Sequence, residues 1–278
     1  MKRIMAALLA LMLLCSTALA EEELSLFDLV EWDDEVTYDD VTWDFPVDLM
    51  DMEPQLVVLA NKHMLLPKDF YAAPLVTMKS RKADKKGVNT NGGVRKVSGE
   101  MKLQADCAEA LVRMFEAAIE DGYKLYLKSA YRSWSTQNTM YSNRLKKNKG
   151  KDDGWVSKPG ASDHQTGLGC DILNYEWTQK SGMNEKFAKT AEAQWMAAHC
   201  HEFGFILRYP EDKEEITEIN FEPWHFRYVG VPAATYILEH GLCLEEFCEQ
   251  LNAAIARFLS DGGDPALVKP FMQVSAEY

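Results

Sequence analysis

His164, Asp171 and His225 carry side chains of the kinds that hold a catalytic metal ion. A catalytic zinc ion typically takes three nitrogen or oxygen ligands from the protein and leaves a fourth position for water. His164 and Asp171 are seven residues apart, with Gly167 and Gly169 between them. The glycines permit the close backbone turn that would return the second ligand to the same point. Since the chain has six histidines, this spacing by itself fits a metal site and equally a chance combination.

Glu222 stands three residues before His225, with Pro223 between them. The proline ring restricts the local backbone and would help to hold the glutamate and the histidine in a fixed relation. We predict that Glu222 is not a metal ligand. It is instead the predicted general base, which takes the proton of the attacking water.

Three sequence motifs resemble, in the same order, those of the VanY-type zinc D-alanyl-D-alanine carboxypeptidases, a family of peptidoglycan peptidases. In this chain they read Ser129-x-Tyr131-Arg132-Ser133 followed by Gln137, then Ser162-x-His164-x-x-Gly167-x-x-x-Asp171, and finally Glu222-x-Trp224-His225. The resemblance covers roughly residues 55–240. It departs from many relatives at Cys170, where an aliphatic residue is common. We expect the Cys170 thiol to pack as a small hydrophobe; a thiolate that competes for the metal is the alternative.

The resemblance implies a small α+β zinc fold, in which helices flank a small and mostly antiparallel sheet, with Zn²⁺ bound by His164, Asp171 and His225. It also implies that Arg132 binds the substrate and stabilises the oxyanion of the tetrahedral intermediate, which suits a fixed guanidinium with several donors. A structural ion pair is the alternative for Arg132. We expect Trp224 to form a wall of the site. The predicted contacts to the peptide substrate are Ser129, Tyr131, Gln137 and Ser162.

The activity implied by the resemblance is removal of the C-terminal D-alanine from peptidoglycan stem peptides. The same scaffold also serves L,D-carboxypeptidases, D,D-dipeptidases and endopeptidases, and no motif in this chain distinguishes among these bonds. A non-catalytic wall-binding protein is a further alternative, which predicts that a ligand or the base is missing. All four positions are present in this sequence, which favours an enzyme.

The elements expected around these motifs mix helices and strands without regular alternation, which favours an α+β fold over a doubly wound sheet. Apolar residues recur at helical spacing between residues 102 and 121. The other predicted elements are helices at 188–203 and 245–259 and strands at 55–60, 123–127, 204–209 and 223–229. We expect the apolar face of the last helix to cap the core, because it carries few basic residues for a membrane surface.

Residues 1–20 have the three parts of a secretory signal peptide. Lys2 and Arg3 precede an apolar run, and Ala18-Leu19-Ala20 supplies the small residues that signal peptidase requires. The run is short for a bilayer span. We therefore predict export with cleavage after Ala20, no membrane span in the mature protein, and an extracytoplasmic location; an uncleaved N-terminal anchor is the alternative.

The acidity of the chain is concentrated after the signal. Residues 21–53 contain 14 Asp and Glu and no Lys or Arg, against a net charge of −13 for all 278 residues. This segment is predicted to be an acidic leader, followed by a zinc peptidase domain at 54–242 and a helical extension at 243–278. An acidic chain repels phosphate backbones, so we do not expect a nucleic-acid partner. The oligomeric state remains open.

The remaining histidines and cysteines are weaker candidates. His199 and His201 lie two apart on a predicted helix, so their side chains point in different directions and cannot share a metal. His63 and His240 lack acidic or cysteine neighbours at ligand spacing. All four are interpreted as structural or surface residues. After signal cleavage an odd number of cysteines would remain, and no disulfide pairing is predicted.

Overall fold

The computed structural model describes residues 41–70 and 72–276. The predicted signal peptide and residues 21–40 of the acidic leader therefore lie outside the described residues. Within the described ranges, no helix combines the length and apolar character needed to cross a membrane.

The fold is α+β, as the sequence predicts, and its centre is a four-stranded sheet. The strands run β1 (Leu75–Thr77), β2 (Lys102–Gln104), β3 (Leu125–Ser129), β4 (Gly169–Asn174), β5 (Phe205–Leu207) and β6 (His225–Tyr228). The last four form one sheet in the order β3-β4-β6-β5, and every pairing is antiparallel. The first two form a separate antiparallel pair. Neighbours in the sheet are thus far apart in the chain, and the register sets which side chains meet.

Helices cover this sheet and continue beyond it toward the C-terminus. In chain order they are α1 (Ala105–Glu120), α2 (Trp134–Lys147), α3 (Tyr175–Thr178), α4 (Ala191–His199), α5 (Glu214–Thr217), α6 (Val231–Glu239), α7 (Leu244–Ser260) and α8 (Pro265–Ala276). The apolar stripe of α1 is buried against the sheet, including Leu111, Met114 and Phe115. The helix predicted at 102–121 is present from Ala105 onward, because Lys102–Gln104 form β2. The helix predicted at 188–203 is α4, which a 3-10 helix precedes and another follows, and the helix predicted at 245–259 is α7.

Helix α2 is absent from the sequence-based prediction because it has no apolar stripe. Gln137 is its one fully buried side chain, and the rest of the helix is polar or partly exposed. Its start is set by Ser133, whose hydroxyl accepts a hydrogen bond from the backbone N–H of Thr136 at 3.3 Å. An N-cap of this kind satisfies a helix donor that has no partner within the helix.

The strand predicted at 55–60 is wrong. A short 3-10 helix covers Pro54–Leu56, and the following residues are buried without joining a sheet. Their carbonyls are satisfied by side chains: Arg227 donates to the carbonyls of Leu56 and Val58, and Arg208 donates to that of Ala60. Apolar composition correctly indicates burial here, but it does not reveal what supplies the hydrogen bonds.

A second apolar cluster joins the start of the described chain to its C-terminal helices. It contains Val47 and Leu49 together with residues of α6, α7 and α8. The apolar face predicted for the last helix is buried in it, which confirms that this face packs on the core: Phe247, Leu251, Ile255 and Phe258. The proposed boundaries at 54–242 and 243–278 stay predictions.

Candidate metal centre and active site

The sheet register brings two of the predicted ligands together. Asp171 on β4 pairs directly with His225 on β6, and Asp171 Oδ1 lies 3.0 Å from His225 Nδ1. His164 lies just before β4, in a 3-10 helix over Asp163–Thr166. Its Nε2 is 3.4 Å from Asp171 Oδ2. One ligand atom from each of the three residues lies within 4.8 Å of the others, so the predicted ligand set meets at one point.

Two glycines make the return of the chain to this point possible. Gly167 ends the 3-10 helix at φ 74°, a left-handed conformation that glycine adopts without strain. A Cβ at Gly167 would lie 2.5 Å from Leu75 Cδ2, and a Cβ at Gly169 would lie 2.9 Å from Asp163 Cβ. Neither position has room for a side chain, which explains why both glycines stand between the two ligands.

His164 is oriented by the backbone. Its Nδ1 lies 2.6 Å from the carbonyl oxygen of Ala130, so this nitrogen donates and Nε2 is left with a lone pair facing Asp171. Metal-binding histidines are commonly held by such a hydrogen bond on the other ring nitrogen. In His225 it is Nδ1 that faces the cluster. His225 Nε2 is buried and has no hydrogen-bond partner within the described part of the chain.

The protonation states of Asp171 and His164 are those that bind a cation. Burial by itself would raise the pKa of Asp171, but the adjacent His164 and His225 hold that pKa far below its ordinary value. Burial lowers the pKa of His164, and the Arg132 guanidinium lowers it further. An ionised carboxylate and a neutral imidazole are the forms that bind metals. Two imidazole nitrogens and a carboxylate oxygen also form a typical donor set for catalytic zinc, so the residues present fit this ion.

Glu222 lies beside the ligands. Its Oε2 is 3.8 Å from His225 Nδ1, and the backbone N–H of His225 donates to the Glu222 carbonyl at 3.0 Å. Burial raises the pKa of Glu222 well above its ordinary value, and the Asp171 charge adds to this effect. A carboxylate with a raised pKa can take up and release a proton near neutral pH, which a general base requires.

Arg132 also faces the cluster and is held by its neighbours. Its Nη2 is 3.9 Å from Asp171 Oδ2. Its Nη1 donates to Gln137 Oε1 at 2.6 Å, and its Nη2 donates to Ser129 Oγ at 3.4 Å. Gln137 in turn donates to the carbonyl of Ser157 at 2.6 Å. Ser129 and Gln137, which the resemblance presents as substrate contacts, thus also fix the direction of the guanidinium.

An open cavity of about 490 Å³ contains these groups. Ser162 and Gln137 line it, whereas Ser129 and Tyr131 do not. Tyr131 is placed through its backbone N–H, which donates to the carbonyl of Lys102 at 2.9 Å. Trp224 lines the cavity as expected and stacks on Trp155, with ring centroids 6.3 Å apart. Trp155 escapes sequence analysis because it lies in a polar loop with no periodicity.

Sequence analysis also misses a buried charge cluster behind the ligands. Asp163, Arg208 and Arg227 are each 0% exposed, and Asp163 accepts hydrogen bonds from both arginines. The available signal is the position of the two arginines within the predicted strands 204–209 and 223–229, where a buried charged residue requires a partner. The sequence alone does not identify that partner.

The weaker candidates lie away from the ligands. His63 contacts Glu218, His199 contacts Glu202, and His240 contacts the carbonyl of Tyr236. Cys170 is fully buried on β4, and burial raises the pKa of its thiol well above the ordinary value. It is therefore a neutral, packed side chain, in agreement with the favoured interpretation. The five described cysteines are free.

Comparison with known proteins identifies the family. The sequence profile described as VanY, D-alanyl-D-alanine carboxypeptidase, matches residues 100–231. A solved structure of a glutamate-to-alanine variant of the vancomycin-resistance D,D-pentapeptidase VanY, in complex with Zn(II), is 30% identical; the similarity covers 69% of this chain and 98% of that one, with a TM-score of 0.52. The chain belongs to the VanY family.

Two further proteins are similar to parts of this chain. The LD-carboxypeptidase LdcB is 34% identical in sequence, with a TM-score of 0.58, over 70% of this chain and 87% of that one. The putative carboxypeptidase YodJ of Bacillus subtilis (strain 168) is 40% identical over 153 residues, which are 54% of this chain and 55% of that protein. The chain thus matches little more than half the length of this curated relative.

Proposed function

We propose that this protein is an exported, zinc-dependent carboxypeptidase that removes the C-terminal D-alanine from peptidoglycan stem peptides. The observation that carries the proposal is the convergence in one cavity of three ligand atoms within 4.8 Å of one another with the carboxyl group of Glu222 and the guanidinium of Arg132. The similar VanY structure was solved with Zn(II), and the donor set of this site is of the same chemical type.

In this reaction water adds across the terminal amide bond and releases a free amino acid and a shortened stem. His164, Asp171 and His225 would hold the zinc ion, which would supply polarisation of the scissile carbonyl and acidification of water. Glu222 accepts the proton of the attacking water and then passes it to the leaving amine. Burial raises the pKa of Glu222, which favours uptake of this proton.

Arg132 supplies the positive charge for the oxygen on which negative charge develops. Ser129 and Gln137 hold the guanidinium, so that its donors are in place before the reaction and need no reorganisation. Ser162 lines the same cavity and offers a hydroxyl to the peptide. Tyr131 acts indirectly in this proposal, because it sits next to Arg132 in the chain and is not among the residues lining the cavity.

Digestion of defined stem peptides tests the proposal. Pentapeptide and tetrapeptide stems are incubated with the purified protein, with and without a chelator. The masses of the products are then measured by mass spectrometry. We expect the pentapeptide alone to lose one alanine, and only when the chelator is absent. Failure of the zinc-loaded protein to cleave either stem would refute the assignment.

An L,D-carboxypeptidase activity is the second candidate, favoured by the similarity to the LD-carboxypeptidase LdcB. Both reactions need the same ion, base and guanidinium and differ only in the residue that precedes the leaving D-alanine. Loss of alanine from the tetrapeptide would identify this activity. Release of a dipeptide, or cleavage within the stem, would instead identify a dipeptidase or an endopeptidase.

Export forms part of the proposal and rests on residues 1–20, with their basic start, apolar run and small residues before Glu21. In the same proposal an acidic leader at 21–53 precedes a peptidase domain at 54–242, and residues 243–278 extend that domain. N-terminal sequencing of the protein from the producing cell checks this. A chain that begins at Glu21 and lies outside the cytoplasm is expected; a chain that keeps Met1 favours an anchor.

A further inference from the structure

Behind the metal ligands lies a closed set of buried charges centred on Asp163. Its Oδ2 accepts a hydrogen bond from Arg208 Nε at 2.7 Å, and its Oδ1 accepts one from Arg227 Nη1. All three side chains are 0% exposed. Burial of an ionised group is costly unless it is paired and hydrogen-bonded, so the position of this carboxylate is determined by both guanidinium groups.

Glu245 of helix α7 completes this set of buried charges. Glu245 accepts from Arg208 Nη1 at 2.8 Å and from Arg208 Nη2 at 2.7 Å, a geometry in which both carboxylate oxygens bind one guanidinium. The positive charges of the two arginines are therefore balanced by the negative charges of the two carboxylates. Glu245 lies beyond residues 100–231, the part of the chain that matches the VanY profile.

Asp163 also faces a metal ligand. Its Oδ2 is 3.9 Å from His225 Nε2, the buried ring nitrogen that has no hydrogen-bond partner in the described chain. The other nitrogen of His225 faces Asp171 and the ligand cluster. A metal-bound histidine commonly directs its second ring nitrogen at a carboxylate, which fixes the ring and strengthens the ligand. His164 has the Ala130 carbonyl for this purpose, and the carboxylate that faces Nε2 of His225, at 3.9 Å, is that of Asp163.

We propose that Asp163 is the positioning residue of the ligand His225, and that Glu245 keeps Asp163 available for this role by neutralising Arg208. Helix α7 thereby affects how firmly the metal centre binds zinc. The inference rests on the proposed metal site and deepens it. Without Glu245, Arg208 has Asp163 as its one remaining carboxylate and draws the Oδ2 charge toward itself and away from His225. The ring is then held less firmly, and zinc binds more weakly.

Zinc dissociation constants, measured by competition with a coloured chelator on the folded full-length protein, test this proposal. We expect Asp163→Asn to raise the constant about 10- to 100-fold and Glu245→Gln to raise it about 3- to 10-fold, because Glu245 acts through Arg208. The visible absorption of the Co(II)-substituted protein should shift in the same two variants, because the ligand field of His225 changes. Glu245→Asp keeps the charge but is one methylene shorter, so that it reaches the two Arg208 nitrogens less well; it should give a smaller rise of the constant and a smaller shift of the Co(II) spectrum than Glu245→Gln.

Glu246→Gln is the matched control. Glu246 is the next residue of the same helix turn, and it binds Lys213 and the backbone N–H of Cys243 without contacting Arg208. A role limited to folding predicts that Glu245→Gln and Glu246→Gln both lower the unfolding temperature and leave the zinc constant and the Co(II) spectrum unchanged.

The proposal is overturned if folded Glu245→Gln has the wild-type zinc constant and Co(II) spectrum. If Asp163→Asn does not fold, the measurements on Glu245→Gln alone decide whether the proposal stands. If Glu245→Gln does not fold either, the comparison of Glu245→Asp with the wild type decides, since an altered Co(II) spectrum supports the coupling and an unchanged one refutes it. Failure of the wild type to bind zinc would overturn the proposed function as well, so the two failures are distinguishable.

Discussion

Replacement of Glu222 by glutamine tests the proposed division of labour at the site most directly. Glutamine keeps the size and hydrogen-bonding capacity of the side chain but cannot accept the proton of the attacking water. The three ligand atoms that lie within 4.8 Å of one another belong to other residues, and Glu222 Oε2 is 3.8 Å from one of these ligands, at His225 Nδ1. The variant should therefore retain its metal.

The expected effect is a loss of turnover without a loss of zinc. Positioned general bases contribute about 10²- to 10⁴-fold to rate, so kcat for the pentapeptide should fall by about that factor, or about 3 to 5 kcal/mol in activation free energy. Zinc content per protein, measured by atomic spectrometry, should remain at the wild-type value. KM should change little, because the arrangement of Arg132 and its neighbours does not involve Glu222.

The matched control is Glu218→Gln, which removes a nearby carboxylate that binds Lys62 and His63 at the surface. Its kcat should stay within about twofold of the wild type, as is usual for a surface change. If Glu222→Gln retained full activity, Glu222 would have no role in proton transfer. If it lost both activity and zinc, Glu222 would have to be reassigned as a ligand.

Three further predictions concern the guanidinium of Arg132, the turn at Gly167 and the ion pair between Arg81 and Glu116. Arg132→Lys should lower kcat/KM by about 10²- to 10³-fold with zinc retained, and steady-state kinetics with metal analysis would contradict this if activity persisted. Gly167→Ala should lower the unfolding free energy by about 1 to 3 kcal/mol, because φ is 74° and the new Cβ would meet Leu75; unchanged denaturant unfolding would be inconsistent with this. Arg81 binds Glu116 and lowers the pKa of that carboxyl. Glu116→Gln should therefore cost about 1 kcal/mol at pH 7, and the difference from the wild type should shrink as the pH falls below the ordinary glutamate pKa; a constant difference down to pH 3 would argue against the ion pair.

The ligand set is an example of what local sequence can predict. His164, Asp171 and His225 are recognisable by type and spacing, and the two glycines between the first pair are required by the same turn that the structure contains. Helix α1 is predictable for a similar reason, since its buried stripe repeats at the helical period. In each case the signal is a short motif or a fixed repeat, although the contact that brings Asp171 to His225 spans 54 residues.

The strand expected at 55–60 and the unpredicted helix α2 show where such reasoning fails. The first segment is apolar and buried, but its carbonyls accept hydrogen bonds from Arg227, about 170 residues away in the chain. Helix α2 is polar on most of its surface, so it has no stripe to detect. Secondary structure in both places depends on partners that periodicity does not describe.

Sequence by itself therefore supplied the family motifs, the candidate ligands and base, and the α+β class. Tertiary structure decided that the sheet register sets Asp171 opposite His225, that Ser129 and Gln137 hold Arg132, and that Asp163 is a buried hub. The physical reason is that the energy of a buried charge depends on every group around it. Those groups come from the two ends of the described chain and from the middle of the sheet, and only folding brings them together.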